Sequence, residues 1–82
     1  MYKNKMPDGR NNICGIKIKE VRLSLREKTS QRKLSDLLML EGIYLDKTAI
    51  QRIESGERFI TDIELKAIAR VLKVKYEDLL GE

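Results

Sequence analysis

The stretch LDKTAIQRIESGERF, residues 45–59, predicts a short helix with a clear start and a clear end. Asp46 is a suitable N-cap, because its carboxylate can accept a hydrogen bond from a backbone N–H of the first turn. Gly56 follows at the position where a left-handed residue is favoured. One face carries apolar residues at helical spacing: Ala49, Ile50 and Ile53. We therefore expect a helix over about 46–55, packed on a core through this face.

The opposite face of this helix carries hydrogen-bond donors and acceptors: Asp46, Lys47, Thr48, Gln51 and Arg52. A helix that enters the DNA major groove, about 12 Å wide, must be short and must present such groups outward from its first turns. Lys and Arg suit guanine, Gln suits adenine, and the Thr methyl group suits thymine. The alternative is that these residues only keep the surface soluble. The surrounding helices decide between the two interpretations.

Two helices are predicted before this segment. From Gly15, Ile18, Val21 and Leu25 share one helical face, and this first helix should run to about Lys28. In the second helix, residues 31–40, the apolar step is repeated by three leucines: Leu34, Leu37 and Leu38. Ser30 provides its N-cap and Gly42 ends it.

Two more helices are predicted after it. Thr61 and Glu64 match a capping box at the start of TDIELKAIARVLK, which is apolar over more than half of its surface. The short segment YEDLL should lay Tyr76, Leu79 and Leu80 on the core. The fold class expected is therefore all-α, a compact bundle of five helices.

Composition limits the possible functions. The 82 residues suffice for one small domain, and the single cysteine and the lack of histidine argue against a disulfide, a zinc site, a cofactor and an enzyme. No stretch resembles a membrane span or a signal peptide, so we expect a cytoplasmic protein. Residues 1–33 hold ten Lys or Arg against three Asp or Glu. This surplus suits a polyanion, or is only a solvated surface.

Residues 1–14 lack a helical period and contain Pro7, Asp8 and Gly9, so we expect a flexible basic arm followed by a domain over 15–82. The basic residues of the arm are Lys3, Lys5 and Arg10. They could reach a DNA backbone or minor groove, or remain free. We expect Cys14 to be a small apolar residue near the first helix; the alternative is a redox role.

The order of IKIKEVR, SQRKLSDLL, DKTAIQRIESGER and TDIELKAIARVLKVKYEDLL resembles the Cro and phage-repressor type of helix-turn-helix family, the XRE family. The resemblance extends from about Gly15 to Leu80. Its most specific part is Gln31 opening one helix, then Ile50, Ile53, Glu54 and Gly56. It implies the phage-repressor-like fold and a regulator of transcription, bacterial or from a mobile element.

The resemblance also implies residue roles. The base-reading positions would be Lys47, Thr48 and Arg52, with Gln51 next and Asp46 at the edge of the cap. The phosphate-contacting positions would be Gln31, Ser55 and Arg58, with Arg32 and Lys33 as weaker candidates. For Arg58 the alternative is a free surface charge.

A structural ion pair is also implied. Arg22 falls on the apolar face of the first helix, where a charge is costly unless it is paired. In the family an Arg of this helix pairs with a Glu at the position of Glu54. The link MLEGIYLD, residues 39–46, is longer than the tight turn of the phage repressors. Tyr44 within it is expected to pack under the link, or to touch a phosphate.

The function implied is sequence-specific binding of double-stranded DNA, with a homodimer possible, and without a membrane or small-molecule partner. The alternative is an antitoxin-like protein interaction module with secondary DNA binding. An exposed apolar patch around Tyr76, Leu79 and Leu80 would favour that alternative.

Overall fold

The computed structural model describes residues 9–25 and 29–80. They form five helices: α1 Gly15–Ser24, α2 Gln31–Leu40, α3 Lys47–Ser55, α4 Asp62–Leu72 and α5 Tyr76–Leu79. These ranges contain no strand, and the predicted all-α class is confirmed. The basic residues Lys3, Lys5 and Lys28 lie outside the described residues. None of the described helices combines the length and hydrophobicity needed to cross a membrane.

Every helix contributes at least one fully buried aliphatic side chain to a single core. These side chains are Ile18 from α1, Leu34 and Leu38 from α2, Ile50 and Ile53 from α3, Ile68 and Leu72 from α4, and Leu79 from α5. Full burial of one such side chain contributes roughly 1.5–3 kcal/mol. The core therefore fixes α3 against α1 and α2, the helices whose backbones lie closest to α3.

The helix starts follow the capping residues in the sequence. The Ser30 hydroxyl accepts a hydrogen bond of 3.0 Å from the backbone N–H of Lys33. At α4, the Thr61 hydroxyl accepts from the Glu64 N–H at 3.2 Å, and the Glu64 carboxylate accepts from the Thr61 N–H at 2.9 Å. The predicted capping box is thus confirmed. Such bonds satisfy N–H groups that have no partner within the helix.

The first helix ends earlier than predicted. It stops at Ser24 rather than near Lys28, and Leu25 is extended with φ −63° and ψ 148°. Thr29 lies beside α1, because its carbonyl accepts a 2.9 Å hydrogen bond from Nη1 of Arg22. A helix that continued would carry Thr29 away from Arg22 by about 1.5 Å for each residue.

Two aromatic residues lie on the surface, although Tyr76 was predicted on the core and packing under the link was the first of the two alternatives for Tyr44. Tyr44 is 81% exposed, because Ile43 and Leu45 on either side of it both pack on the core and leave it pointing outward. Tyr76 is 43% exposed and lies with its ring centroid 5.9 Å from the Lys66 ammonium.

Candidate nucleic-acid interface

The inner face of α3 is seated in the core, as its spacing predicted. Ile50 and Ile53 are fully buried and Ala49 is half-buried. At the start of the helix, Oδ1 of Asp46 accepts a 2.7 Å hydrogen bond from the Ala49 N–H. At the end, Gly56 adopts the left-handed conformation with φ +88°. Both predicted boundaries of α3 are confirmed.

The outer face of α3 is open to solvent and polar. All five candidate base-reading residues are exposed: Asp46, Lys47, Thr48, Gln51 and Arg52. Asp46 already uses one carboxylate oxygen for the cap. The side chains of the other four make no hydrogen bond or ion pair with the described residues, so their donors and acceptors are available to a ligand.

A buried ion pair joins α1 to the last turn of α3, in the arrangement expected for Arg22 and Glu54. Nε of Arg22 donates to Oε2 of Glu54 at 2.8 Å, and Nη2 donates to Oε1 at 2.9 Å. Both residues are only 6% exposed. The two parallel bonds and the burial make this a strong, directional contact. It fixes the rotation of α3 about its own axis relative to α1.

The same carboxylate also binds the first residue of α2. Nε2 of Gln31, which is half-buried, donates to Oε1 of Glu54 at 3.0 Å. An amide NH₂ group has two donors, so one such contact leaves the other for a phosphate. Arg32 and Lys33, next in the first turn of α2, are exposed. Glu54 therefore connects three helices and holds Gln31 beside α3.

The turn after α3 is held by a second ion pair. Arg58 donates to both carboxylate oxygens of Glu64, each at 3.0 Å, and to the Phe59 carbonyl at 2.8 Å. The hydrogen bond from Arg58 holds the pKa of Glu64 below its usual value, and the same bond raises the pKa of Arg58. Arg58 is thus not the free surface charge of the alternative interpretation. Ser55, which is exposed, donates to the Arg52 carbonyl at 3.1 Å.

Arg10 is placed differently from the flexible arm predicted for residues 1–14. Its Nη1 donates to the Ser55 carbonyl at 3.1 Å and its Nη2 to the Glu54 carbonyl at 2.8 Å. Asn11 and Asn12 bind the same turn. The sequence contains only a weak signal for this contact, two adjacent Asn residues, because the partners lie more than forty positions along the chain.

Cys14 is buried among core residues, and burial raises the pKa of its thiol. A buried neutral thiol is a poor nucleophile, so the structure favours the packing role over the redox alternative. Among residues 9–25 and 29–80, no cluster of three or more His, Cys, Asp or Glu side chains is placed to hold a metal ion.

A family model described as helix-turn-helix matches residues 18–79. No curated protein and no solved structure gives a match to the chain. The matched range begins inside α1 and ends with α5, so it includes the whole outer face of α3 and both of the ion pairs described above. Residues 10–12 lie outside it.

Proposed function

Because the chain belongs to the Cro/C1-type helix-turn-helix family, the XRE family, we propose that it regulates transcription by reading one DNA sequence through α3. Proteins of this family bind double-stranded DNA. The observation that carries the proposal is the division of α3 into two faces. Ile50 and Ile53 are buried on one face. On the other face, the side chains of Lys47, Thr48, Gln51 and Arg52 have no partner among the described residues.

The proposed base contacts follow from position along α3. Lys47 and Thr48 occupy the first turn, the part of a recognition helix that lies deepest in the major groove. Gln51 and Arg52 follow one turn later on the same face. Bidentate contacts from Arg to guanine and from Gln to adenine each contribute about 1–3 kcal/mol of discrimination. Asp46 is the weakest candidate, because its carboxylate caps the helix.

Phosphate contacts are proposed on both sides of α3. At the start of α2, Gln31, Arg32 and Lys33 lie where backbone N–H groups and the positive end of the helix dipole attract an anion. At the last residue of α3 and in the turn after it, Ser55 and Arg58 would contact the opposite strand. Arg58 would do so through the guanidinium N–H groups that Glu64 and Phe59 do not bind. Arg52 and Arg58 line one open groove, which connects the reading face to this turn. Phosphate contacts would fix the register on the duplex without reading its sequence.

Cytoplasmic action and a non-enzymatic role fit a partner that is DNA. A homodimer on a two-fold symmetric operator would place the α3 helices of two subunits about 34 Å apart. An exposed apolar patch around Tyr76, Leu79 and Leu80 would favour the interaction-module alternative, but Leu79 is fully buried and only Tyr76 is substantially exposed. The structure therefore gives that alternative no support at this position.

The proposal is tested by selecting bound duplexes from a random DNA pool with the natural protein and with Lys47→Ala, Thr48→Ala and Arg52→Ala. Each substitution should relax the base preference at one or two positions of the selected sequence. Lys66→Ala is the matched control for lost positive charge, because Lys66 is exposed on α4 and is not among the proposed DNA contacts. It should leave every preference intact.

Two results would contradict the proposal. Equal weakening of all sequences by the three α3 substitutions would show that these residues do not read bases. Binding that does not weaken as salt is raised would exclude a phosphate-dominated DNA interaction altogether.

A further inference from the structure

Residues 10–12, Arg-Asn-Asn, donate hydrogen bonds to six consecutive backbone carbonyls, three at the end of α3 and three in the turn that follows. We name these three residues the RNN clamp. At the end of α3, Asn12 Nδ2 donates to the Ile53 carbonyl (3.0 Å), and Nη2 and Nη1 of Arg10 donate to the carbonyls of Glu54 (2.8 Å) and Ser55 (3.1 Å). In the turn, the backbone N–H of Asn11 donates to the Gly56 carbonyl (2.8 Å) and its Nδ2 to the Glu57 carbonyl (2.8 Å). Asn12 Nδ2 also donates to the Arg58 carbonyl (2.7 Å). The last carbonyls of a helix have no partner within the helix. The clamp provides partners for them and for the whole turn that follows.

The charge and shape of the clamp fit this position. The Arg10 guanidinium lies at the C-terminal end of α3, where the helix dipole favours a cation. It also covers Gly56 so closely that a Cβ there would lie 2.8 Å from Cζ of Arg10. Gly56 is therefore required for its positive φ and also for the room it leaves to Arg10.

The clamp is anchored at its other end to α1. Asn12 is buried, and its Oδ1 accepts a 2.8 Å hydrogen bond from the Gly15 N–H, the first residue of α1. A Cβ at Gly15 would overlap the Ile53 carbonyl oxygen. The start of α1 and the end of α3 therefore meet backbone to backbone, and the clamp bridges them.

We propose that the RNN clamp is a positioning device: it fixes the backbone of residues 53–58 so that Ser55 and Arg58 face the DNA backbone, and Arg10 acts through this turn rather than by binding DNA. The inference rests on the proposed function. It reverses the sequence-based expectation for Arg10, whose two terminal nitrogens both point at backbone carbonyls.

A double-mutant cycle on the selected DNA sequence tests the inference, with Arg10→Ala, Arg58→Ala and the double variant. Arg10→Ala should weaken binding on the order of tenfold in the natural background, within the range for coupled residues. In the Arg58→Ala background it should have an effect of about twofold or less, because the residue that it positions is gone. Lys66→Ala again controls for the loss of one positive charge.

Arg10→Lys separates positioning from charge. Lys keeps the charge that a phosphate contact needs but lacks the planar fork whose two nitrogens reach separate carbonyls. We expect Arg10→Lys to bind nearly as weakly as Arg10→Ala. Full recovery by Lys would overturn the inference. The inference would also be overturned by two results together. The effects of Arg10→Ala and Arg58→Ala on the dissociation constant would multiply in the double variant, and Arg10→Ala alone would reduce the slope of log affinity against log salt concentration by about 0.9. Such a change in slope is the signature of one lost phosphate contact.

Two further measurements keep the test decisive. If Arg10→Ala does not fold, Asn11→Ala removes a single side-chain bond of the clamp, to the Glu57 carbonyl, and should weaken binding in the same direction by a smaller factor. If Ser55→Ala and Arg58→Ala both bind like the natural protein, there is no contact for the clamp to position and the inference fails.

Failure of the proposed function is distinguishable from failure of this inference. In the absence of DNA, Arg10→Ala should accelerate amide hydrogen exchange across residues 55–58 and leave the middle of α4 unchanged. Unchanged exchange in the turn would refute the clamp even if the natural protein binds DNA. Faster exchange in a protein that binds no duplex would refute the proposed function instead.

Discussion

The two ends of α3 are held in different ways. At the C-terminal end, Glu54 is bound by Arg22 and Gln31, and the RNN clamp covers the backbone carbonyls. At the N-terminal end, one carboxylate, that of Asp46, caps the helix, and the preceding link leaves Tyr44 exposed. A helix end that enters a groove must remain uncovered by the protein's own side chains. Its position must therefore be set from the inner face and from the opposite end.

The largest expected effect is at the fixed end. Glu54→Ala would leave the Arg22 guanidinium buried without its carboxylate, and loss of one partner of a buried pair costs about 3–5 kcal/mol. Since a domain is typically stable by about 5–15 kcal/mol, this loss removes a large share of the free energy of unfolding. Chemical denaturation monitored by circular dichroism measures the free energy of unfolding.

Glu57→Ala is the matched control for Glu54→Ala. Glu57 is exposed, and only its backbone carbonyl takes part in the clamp. It should change the free energy of unfolding by less than about 0.5 kcal/mol. If Glu54→Ala were as mild, the ion pair would not be what fixes the C-terminal end of α3.

A smaller effect is expected at the open end. Asp46→Ala removes the cap of α3 and should lower the free energy of unfolding by about 1 kcal/mol, the usual cost of losing an N-cap. Asp36→Ala is its control, because Asp36 is exposed within α2 and caps no helix. The same denaturation experiment applies. A loss as large as that of Glu54→Ala would remove the contrast between the two ends.

The smallest effect concerns pH and the turn that follows the fixed end. Because the bond from Arg58 holds the pKa of Glu64 below its usual value, the pair adds stability above the pKa of an unfolded glutamate, about 4.3. This contribution is lost as the pH falls through the lower pKa of the folded state. It should be about 1 kcal/mol or less, since the pair is partly exposed to solvent.

Glu64→Gln measures this contribution, because Gln keeps the capping box but not the charge. Denaturation at pH 7 should find the natural protein more stable than the variant, and the difference should shrink steadily below about pH 4. A difference that stays constant, or that grows in acid, would show that the charge of Glu64 does not stabilise the turn.

The two ends of α3 should differ most clearly when base preference and the free energy of unfolding are both measured. The substitutions at the open end of α3, at Lys47 and Thr48, should change which bases are preferred and leave unfolding almost unaffected. Substitutions at the fixed end should lower stability or overall affinity and leave the preferred bases unchanged. A single substitution that strongly changed both the preferred bases and the free energy of unfolding would contradict this division between a reading end and an anchored end.

The features of this protein that depend on neighbours within about four positions could be predicted from the sequence alone. The caps at Ser30, Asp46 and Thr61, the left-handed Gly56 and the buried face of α3 were all predictable, since capping bonds and helical periodicity are local. The exposed face of α3 was predictable for the same reason. Its roles in base reading remain predictions.

The contacts between distant segments could not be predicted from the sequence. The early end of α1 at Ser24, the outward position of Tyr44 and the placement of Arg10 against the end of α3 depend on which surfaces pack together. Arg10 is separated from its partners by more than forty residues, and its sequence neighbours resemble those of a free basic arm. Local spacing carries no information about a hydrogen bond that forms only after α1 and α3 have met in the core.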